Sequence, residues 1–381
     1  MKKAILRGIS YLLVAVTASM LTLVLSHKEG KLDRLEALIQ RCFVEEADPA
    51  QLEDAAAAAM VDALGDRWSH YQSAEAYQNY QDVMSNSYVG VGITIATRED
   101  DQGLDVQEVT NNSPAQAAGV QAGDRLIAVD GSSVIGMTVT EVSGLVKGEE
   151  GTDVTLTLIR DERKLELTVT RKRMQTVVAT GQIIENGIGL ITIRNFDDRC
   201  AQETIDTIES LREQGATALI FDVRNNPGGY KREMVQLLDY LLPQGPLFKT
   251  VDYRGREQVD ESDAHCLEVP MAVLINLHSY SAAEFFAAAL SEYGAAVTVG
   301  EKTFGKGYFQ NTFELQDGSA VTLSIGKYYT PKGNNLAGVG LTPDVEVALT
   351  EQEAAAFASG MLKLQDDPQL RAALDALSQN S

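Results

Sequence analysis

The sequence reads as an α/β core on a mostly parallel sheet, preceded by a small α+β domain and an N-terminal membrane-anchor helix. From Gly181 onward, short apolar runs alternate with amphipathic segments of helical length. That alternation implies right-handed crossovers and a sheet covered on both faces. Between Tyr88 and Val169 the hydrophobic period is mostly two, broken by two short helical signals. Residues 8–26 carry no charge and are rich in Leu, Val and Ala. A chain of 381 residues holds two or three domains of ordinary size. Its net charge of −22 excludes nucleic-acid binding through a general phosphate-neutralising surface. The three cysteines (Cys42, Cys200, Cys266) have no metal-binding spacing and form no disulfide framework. The four histidines (His27, His70, His265, His278) are scattered, so no metal site is expected.

Taken in order, Lys2, Lys3 and Arg7 precede the uncharged run, and His27, Lys28 and Glu29 end it. Nineteen helical residues span about 28 Å, close to the hydrocarbon thickness of a bilayer. The positive flank orients the N-terminus to the cytoplasm and exports the remainder. Val16-Thr17-Ala18 is a poor cleavage site because the apolar run continues past it, so 1–28 reads as an uncleaved signal anchor of a single-pass membrane protein. Residues 29–85 read as a helical segment, with Leu32, Leu35, Leu38 and Ile39 at mixed spacings of three and four. Asp66 to Tyr80 reads as a connecting segment rich in aromatic residues.

Residues 86–173 form the small domain. Val89 to Ile95 alternates β-branched residues with glycine, and Leu104 to Val109 alternates again. Ser113-Pro114 opens a short helix that stops at Gly119. Arg125 to Val129 is a strand ending in the Asp130-Gly131 turn, Thr138 to Lys147 is helical, and 154–159 and 165–169 are a strand pair. Ser113-Pro114-Ala115, Ala118-Gly119-Val120 and Gly123-Asp124-Arg125-Leu126-Ile127 resemble a PDZ domain of the bacterial type. The resemblance implies capture of a peptide C-terminus by strand addition, with its carboxylate on backbone N–H groups. Gly90-Val91-Gly92-Ile93 matches the carboxylate-binding loop.

Residues 174–350 form the core. Strands are expected at 188–193, 218–223, 271–276 and 296–299, and helices at 202–214, 230–242 and 282–293. Residues 351–381 read as a polar helical tail.

Three loops after strands are unusual. Arg224-Asn225-Asn226-Pro227-Gly228-Gly229 leaves backbone N–H groups exposed before a helix. Asn276 to Ser281 ends in a serine pair where a helix begins, and helix capping is the ordinary use of such serines. Gly300 to Gln310 sets Lys306 between two glycines; in extended chain Lys306, Tyr308 and Gln310 face one side. In that order, Asn-Pro-Gly-Gly, Ser-x-Ser-Ala-x-Glu and Thr-Phe-Gly-Lys-Gly-x-x-Gln resemble the carboxyl-terminal processing peptidases, tail-specific serine proteases with a Ser-Lys dyad. Gly326-Lys327-Tyr328-Tyr329-Thr330-Pro331 and Gly338 to Asp344 add to the match. By position, the resemblance implies that Ser281 is the nucleophile, Lys306 the general base and Gln310 the residue that holds the lysine. It further implies an oxyanion hole of Ala282 N–H and a glycine N–H of the Gly228-Gly229 pair. Tyr280 and Ala283 depart from the family pattern, where smaller residues and a serine are usual.

The resemblance carries a serine endopeptidase that cuts proteins near their C-termini through an acyl-enzyme, without cofactor or metal. The partners it implies are proteins or peptides with free C-termini and the membrane through one N-terminal helix, and by likeness to relatives Lys31 to Met84 is a candidate homodimerisation segment. The alternative is a PDZ-containing peptide-binding protein with an inactive core, against which both serine and lysine are present. The chemistry stands by itself. A lysine of pKa about 10.4 is neutral in about one molecule in 2,500 at pH 7, an offset of about 4.6 kcal/mol. Burial lowers a lysine by up to about 3–5 units, so the pair works only where water is excluded. Phe304, Tyr308 and Phe309 are the expected apolar wall. A Ser-His-Asp arrangement would use His278, His265 or His70, and His278 lies too near Ser281 on one loop. Lys302 beside Glu301 reads as a surface residue, and Asp260 to His265 as a solvated acidic loop.

Overall fold

Side chains along the strands of the second half of the chain alternate between two buried faces. Ile191, Ile193, Phe221, Val273 and Ile275 pack against helices Cys200–Glu213, Lys231–Leu241 and Ala282–Glu292. Leu190, Ile220, Ala272, Leu274 and Val299 pack against Leu370, Ala373, Leu374 and Leu377 of helix Pro368–Gln379. The computed structural model that gives these positions describes residues 30–98 and 100–379. The membrane-anchor helix expected over 1–28 lies outside the described residues. Among the described residues, no helix is long and apolar enough to cross a membrane.

The sheet between those faces has six strands in the order Ala179–Ile183, Ile188–Ile193, Ala218–Asp222, Met271–Ile275, Ala296–Gly300 and Val345–Glu346. The first pair is antiparallel and the rest are parallel. Parallel strands covered on both faces are continuous apolar runs, which is why 218–222 and 271–275 are buried throughout. Two segments differ from expectation. The tail does not stand apart as a polar helix: it divides into Glu351–Ala358 and Pro368–Gln379, and the second closes the sheet's other face. An antiparallel hairpin, Gly245–Asp252 with Glu257–Ser262, pairs through residues 249–252 with 326–329. Charged residues punctuate it, so its half-exposed strands carry little hydrophobic signal.

The chain divides into two units, the first holding residues 30–77 and 310–324, the second 78–309 and 325–379. In the first, helix Lys31–Cys42 leaves Leu32, Leu35 and Leu38 exposed, and Asp48 and Pro49 begin helix Pro49–Asp62. The expected connecting segment instead contains strand His70–Gln72, paired antiparallel with 320–322, and the start of helix Ala74–Met84, with Ser73 Oγ accepting from Ala76 N–H.

In the second unit, the ribbon 87–90 with 172–175 brackets the small domain. Its five-stranded path runs Ile93–Thr97, Leu104–Val109, Arg125–Val129, Asp153–Arg160 and Arg163–Thr170. The alternating stretch 89–95 divides at Val91-Gly92 between two strands, and the second, Ile93–Thr97, lies at the sheet's edge. Leu104, Val106, Leu126, Val142, Leu156 and Leu158 form its core. Gly90, Val91, Gly92 and Ile93 line a groove completed by Val146 and Lys147 of the facing helix end.

Candidate active site

The three unusual loops meet at the carboxyl ends of the parallel strands, where open α/β sheets place ligands. Hydrogen bonds join them. Asn225 N–H donates to Asn276 Oδ1 (3.0 Å), and Asn276 Nδ2 donates back to Asn225 Oδ1 (2.9 Å). Asn226, fully buried, donates Nδ2 to Ile193 O (2.8 Å), and its carbonyl accepts from Tyr280 N–H (3.2 Å). Arg224 anchors the first loop from below. It is paired with Asp222 (2.6 Å) and Asp367 (2.8 Å), and donates to Gln369 Oε1 (2.9 Å). The C-terminal segment therefore supports the loop that carries Gly228.

The serine pair divides its roles. Ser279 is 0% exposed and its Oγ donates to Val223 O (2.7 Å), so it is a structural residue. Ser281 is half-buried at the N-cap position of helix Ala282–Glu292, without a side-chain cap hydrogen bond. Its backbone has φ 58° and ψ −127°. A non-glycine residue there is strained, and such strain gathers at functional sites. Its Oγ lies 3.0 Å from Tyr328 Oη.

Glu284 explains how the second and third loops are held. It is 0% exposed. Its carboxylate accepts from Ser281 N–H (3.0 Å), Thr303 Oγ1 (2.5 Å), Gly305 N–H (2.6 Å) and Lys306 N–H (2.9 Å). Ser281 N and Lys306 N share the oxygen Oε2, so these two backbone atoms lie at most about 6 Å apart. Burial pushes the Glu284 carboxyl above its ordinary pKa, and the four donors pull it back only in part. Lys306 is half-buried, whereas Lys302 is exposed. Gln310 lies in strand Tyr308–Glu314, within the first unit, and donates Nε2 to Ser324 Oγ (3.1 Å).

Gly228, at φ 86°, packs directly beside the serine. A Cβ there would meet Ser281 Cβ at 2.7 Å and Ala282 N at 2.8 Å, so no larger residue fits. Its own N–H donates to Asn226 Oδ1 (2.8 Å). Gly229 packs against Phe196 and Asp197.

The expected apolar wall is only partly realised. Phe309 turns inward and stacks on Tyr328 at 6.3 Å, but Phe304 and Tyr308 are exposed. Phe248 and Phe285 supply the aromatic packing in their place. His278 is exposed and the His265 side chain is 96% exposed, which removes both from a buried triad. Asp260 is ion-paired with Lys231 (2.8 Å). Tyr328 and Glu284 stand in motifs visible in the sequence, but nothing in the sequence assigns them these contacts.

Asp197 gives a measurable pH signature beside this site. It is buried, and its Oδ1 makes no hydrogen bond among the described residues. Burial first, then the charges of Asp198 and Glu233, push its carboxyl up to about 7, against the opposing Arg232. The folded state thus favours the protonated form. Its contribution to stability is present at low pH and is lost as pH rises through about 7. Asp197→Asn is expected to be more stable than wild type at pH 8, with the advantage nearly constant down to about pH 7 and then shrinking by about 1.4 kcal/mol per unit as pH falls toward 4. Urea midpoints of both proteins at pH 5 and 8 check this, and parallel pH dependences would contradict it.

A serine at positive φ on a helix N-terminus, beside a glycine loop at the end of a parallel sheet, fits the class of serine-type peptidases, and the chain also carries a small, mostly antiparallel domain. Residues 187–347 match the family model of peptidase family S41, and 106–160 match a PDZ domain. The chain is 31% identical over 358 residues to the carboxy-terminal processing protease CtpA of Bacillus subtilis, covering 89% of this chain and 76% of that protein. It is also 31% identical over 326 residues to the carboxyl-terminal-processing protease of Synechocystis, covering 84% and 75%. Among solved structures, the photosystem II D1 C-terminal processing protease aligns at TM-score 0.51 and 25% identity, covering 87% of this chain and 90% of that one. A putative S41 protease from Bacteroides fragilis has the same fold, at TM-score 0.55 and 18% identity over 91% and 97% of the two chains. The chain belongs to peptidase family S41, as a C-terminal processing serine protease with a PDZ domain.

Proposed function

We propose that Ser281 and Lys306 form the catalytic dyad of an endopeptidase that cuts proteins near C-termini captured by the PDZ groove. The observation that carries this reading is Glu284, whose Oε2 accepts both the Ser281 and the Lys306 backbone N–H. In the first step the Ser281 hydroxyl proton passes to the neutral Lys306 amine while Oγ bonds to the scissile carbonyl carbon. Ala282 N–H, at a helix start, and a glycine N–H of the 228–229 pair receive the developing oxyanion. Gly228 N–H already donates to Asn226, so it must turn or be shared to serve, whereas Gly229 N–H has no acceptor among the described residues. Collapse breaks the C–N bond, and the lysine's proton goes to the leaving amine. Water then repeats the sequence on the acyl-enzyme and returns Ser281. Gln310 completes the set by the family pattern.

Strand Ile93–Thr97 lies at the edge of its sheet, which leaves its outer side available for strand addition. Gly92, at φ 82°, admits no side chain, since a Cβ would meet Ser113 Cβ at 2.4 Å. The test is degradation of an unfolded protein with an apolar C-terminus. Wild type is expected to degrade it, Ser281→Ala to bind it without cleavage, and Gly92→Val to lose selectivity for the free C-terminus. Equal cleavage by wild type and Ser281→Ala would remove the nucleophile; unchanged selectivity in Gly92→Val would remove the capture role. The proposal includes the membrane anchor at 1–28 and self-association through Lys31 to Met84. Retention of the full chain in membranes after alkaline extraction, and its mass in detergent, test these two points.

A further inference from the structure

Tyr328 is held through both its ring and its backbone. Its ring meets Phe285 edge-on at 4.5 Å, Phe248 at 5.3 Å and Phe309 at 6.3 Å. Its N–H donates to Gly307 O (3.2 Å), and its carbonyl accepts from Asn335 Nδ2 (2.7 Å). Asn335 Nδ2 also donates to Gly307 O (3.0 Å), so the lysine loop and this tyrosine are bound to one amide. A pinned backbone and a packed ring leave the phenol few positions, and the one it occupies is 3.0 Å from Ser281 Oγ. Burial keeps the phenol un-ionised by pushing its pKa up.

We propose that Tyr328 is a further catalytic residue, donating its O–H to Ser281 Oγ so that the serine's own hydrogen is left for the base. This rests on Ser281 being the nucleophile. A phenol is a stronger acid than an aliphatic alcohol and therefore the better donor of the two, which sets the polarity of the bond. As the serine proton moves to the amine, charge gathers on Oγ and the phenol's hydrogen bond strengthens. The same bond supports Oγ when it departs from the acyl carbon in deacylation. Tyr328 keeps its proton throughout, so the proton balance of both half-reactions is unchanged. The opposite polarity would hold the serine proton away from the lysine and make the tyrosine a brake.

The two polarities give opposite results for Tyr328→Phe, which preserves the ring. The second-order rate of Ser281 labelling by a fluorophosphonate probe is measured beside kcat and KM on a peptide substrate. Labelling and kcat are expected to fall roughly 10²-fold with KM nearly unchanged, the scale of losing one donor aimed at developing charge. Labelling at the wild-type rate or faster overturns the proposal. Ser281→Ala separates the two readings: residual labelling there means the nucleophile is misassigned, whereas abolished labelling with a fully active Tyr328→Phe defeats the tyrosine alone. Should Tyr328→Phe not fold, Tyr328→fluorotyrosine retains shape and strengthens the donor. Its labelling rate is expected to rise while the phenol stays protonated, and an unchanged or lower rate contradicts the proposal.

Discussion

Lys306→Ala is expected to lower kcat by about 10²–10⁴-fold, the range that a positioned general base supplies, while C-terminal peptide binding stays intact. The serine hydroxyl has no other assigned acceptor for its proton in the proposed reaction. Lys306→Arg is expected to be as inactive as Lys306→Ala. A guanidinium keeps the charge and the reach but does not deprotonate in a protein, so it fails as a base. Lys302→Ala, at an exposed position four residues earlier, is expected to match wild type. The measurement is single-turnover cleavage together with the affinity of the PDZ groove for a peptide C-terminus. An active Lys306→Arg would reduce the lysine to an electrostatic or structural role.

The second large effect is expected at Glu284. Glu284→Ala leaves four donors without their acceptor, namely Ser281 N–H, Gly305 N–H, Lys306 N–H and Thr303 Oγ1. A buried group left unpaired costs about 1–3 kcal/mol; Thr303 Oγ1 bears that in full and the three half-buried N–H groups in part. Set against the roughly 5–15 kcal/mol that stabilises an ordinary domain, this is expected to leave the alanine variant markedly destabilised. Glu284→Gln is the finer probe. It keeps the shape but offers one acceptor oxygen where the carboxylate offers two, and turns an amide toward the remaining donors. It is expected to fold with reduced stability, lose Ser281 reactivity, and show faster hydrogen exchange at Ser281, Gly305 and Lys306. Wild-type stability and labelling in Glu284→Gln would show that this carboxylate does not hold the dyad together.

The division between what was legible in the sequence and what was not follows interaction range. Strands 218–222 and 271–275 were legible because burial on both faces leaves a run of apolar residues. The small domain was legible because its turns and caps are local: Ser113 Oγ accepts from Gln116 N–H, and Thr138 and Glu141 form a capping box. The serine, lysine and glycine loops stood out because each breaks an otherwise regular αβ pattern. What joins them was not legible. Three of the four donors to Glu284 lie 19 to 22 positions away, and Tyr328 meets Ser281 across 47. Neither distance leaves a periodicity. The tail was legible as helical but not as apolar on one side, because Leu370, Leu374 and Leu377 stand scattered among polar residues and only the sheet they cover gives them a common face. Phe304 and Tyr308 were misjudged because apolar character alone does not tell an aromatic wall from an exposed rim.

The central claim is that the acyl group passes through the Ser281 hydroxyl with Lys306 as its base. Acid quench during turnover of a peptide substrate, followed by digestion and mass analysis, tests it most directly. An acyl group is expected on Ser281 in wild type, with none in Ser281→Ala and a slowed appearance in Lys306→Ala. An acyl group on Ser279 or elsewhere, or acylation of Lys306→Ala at the wild-type rate, would contradict it.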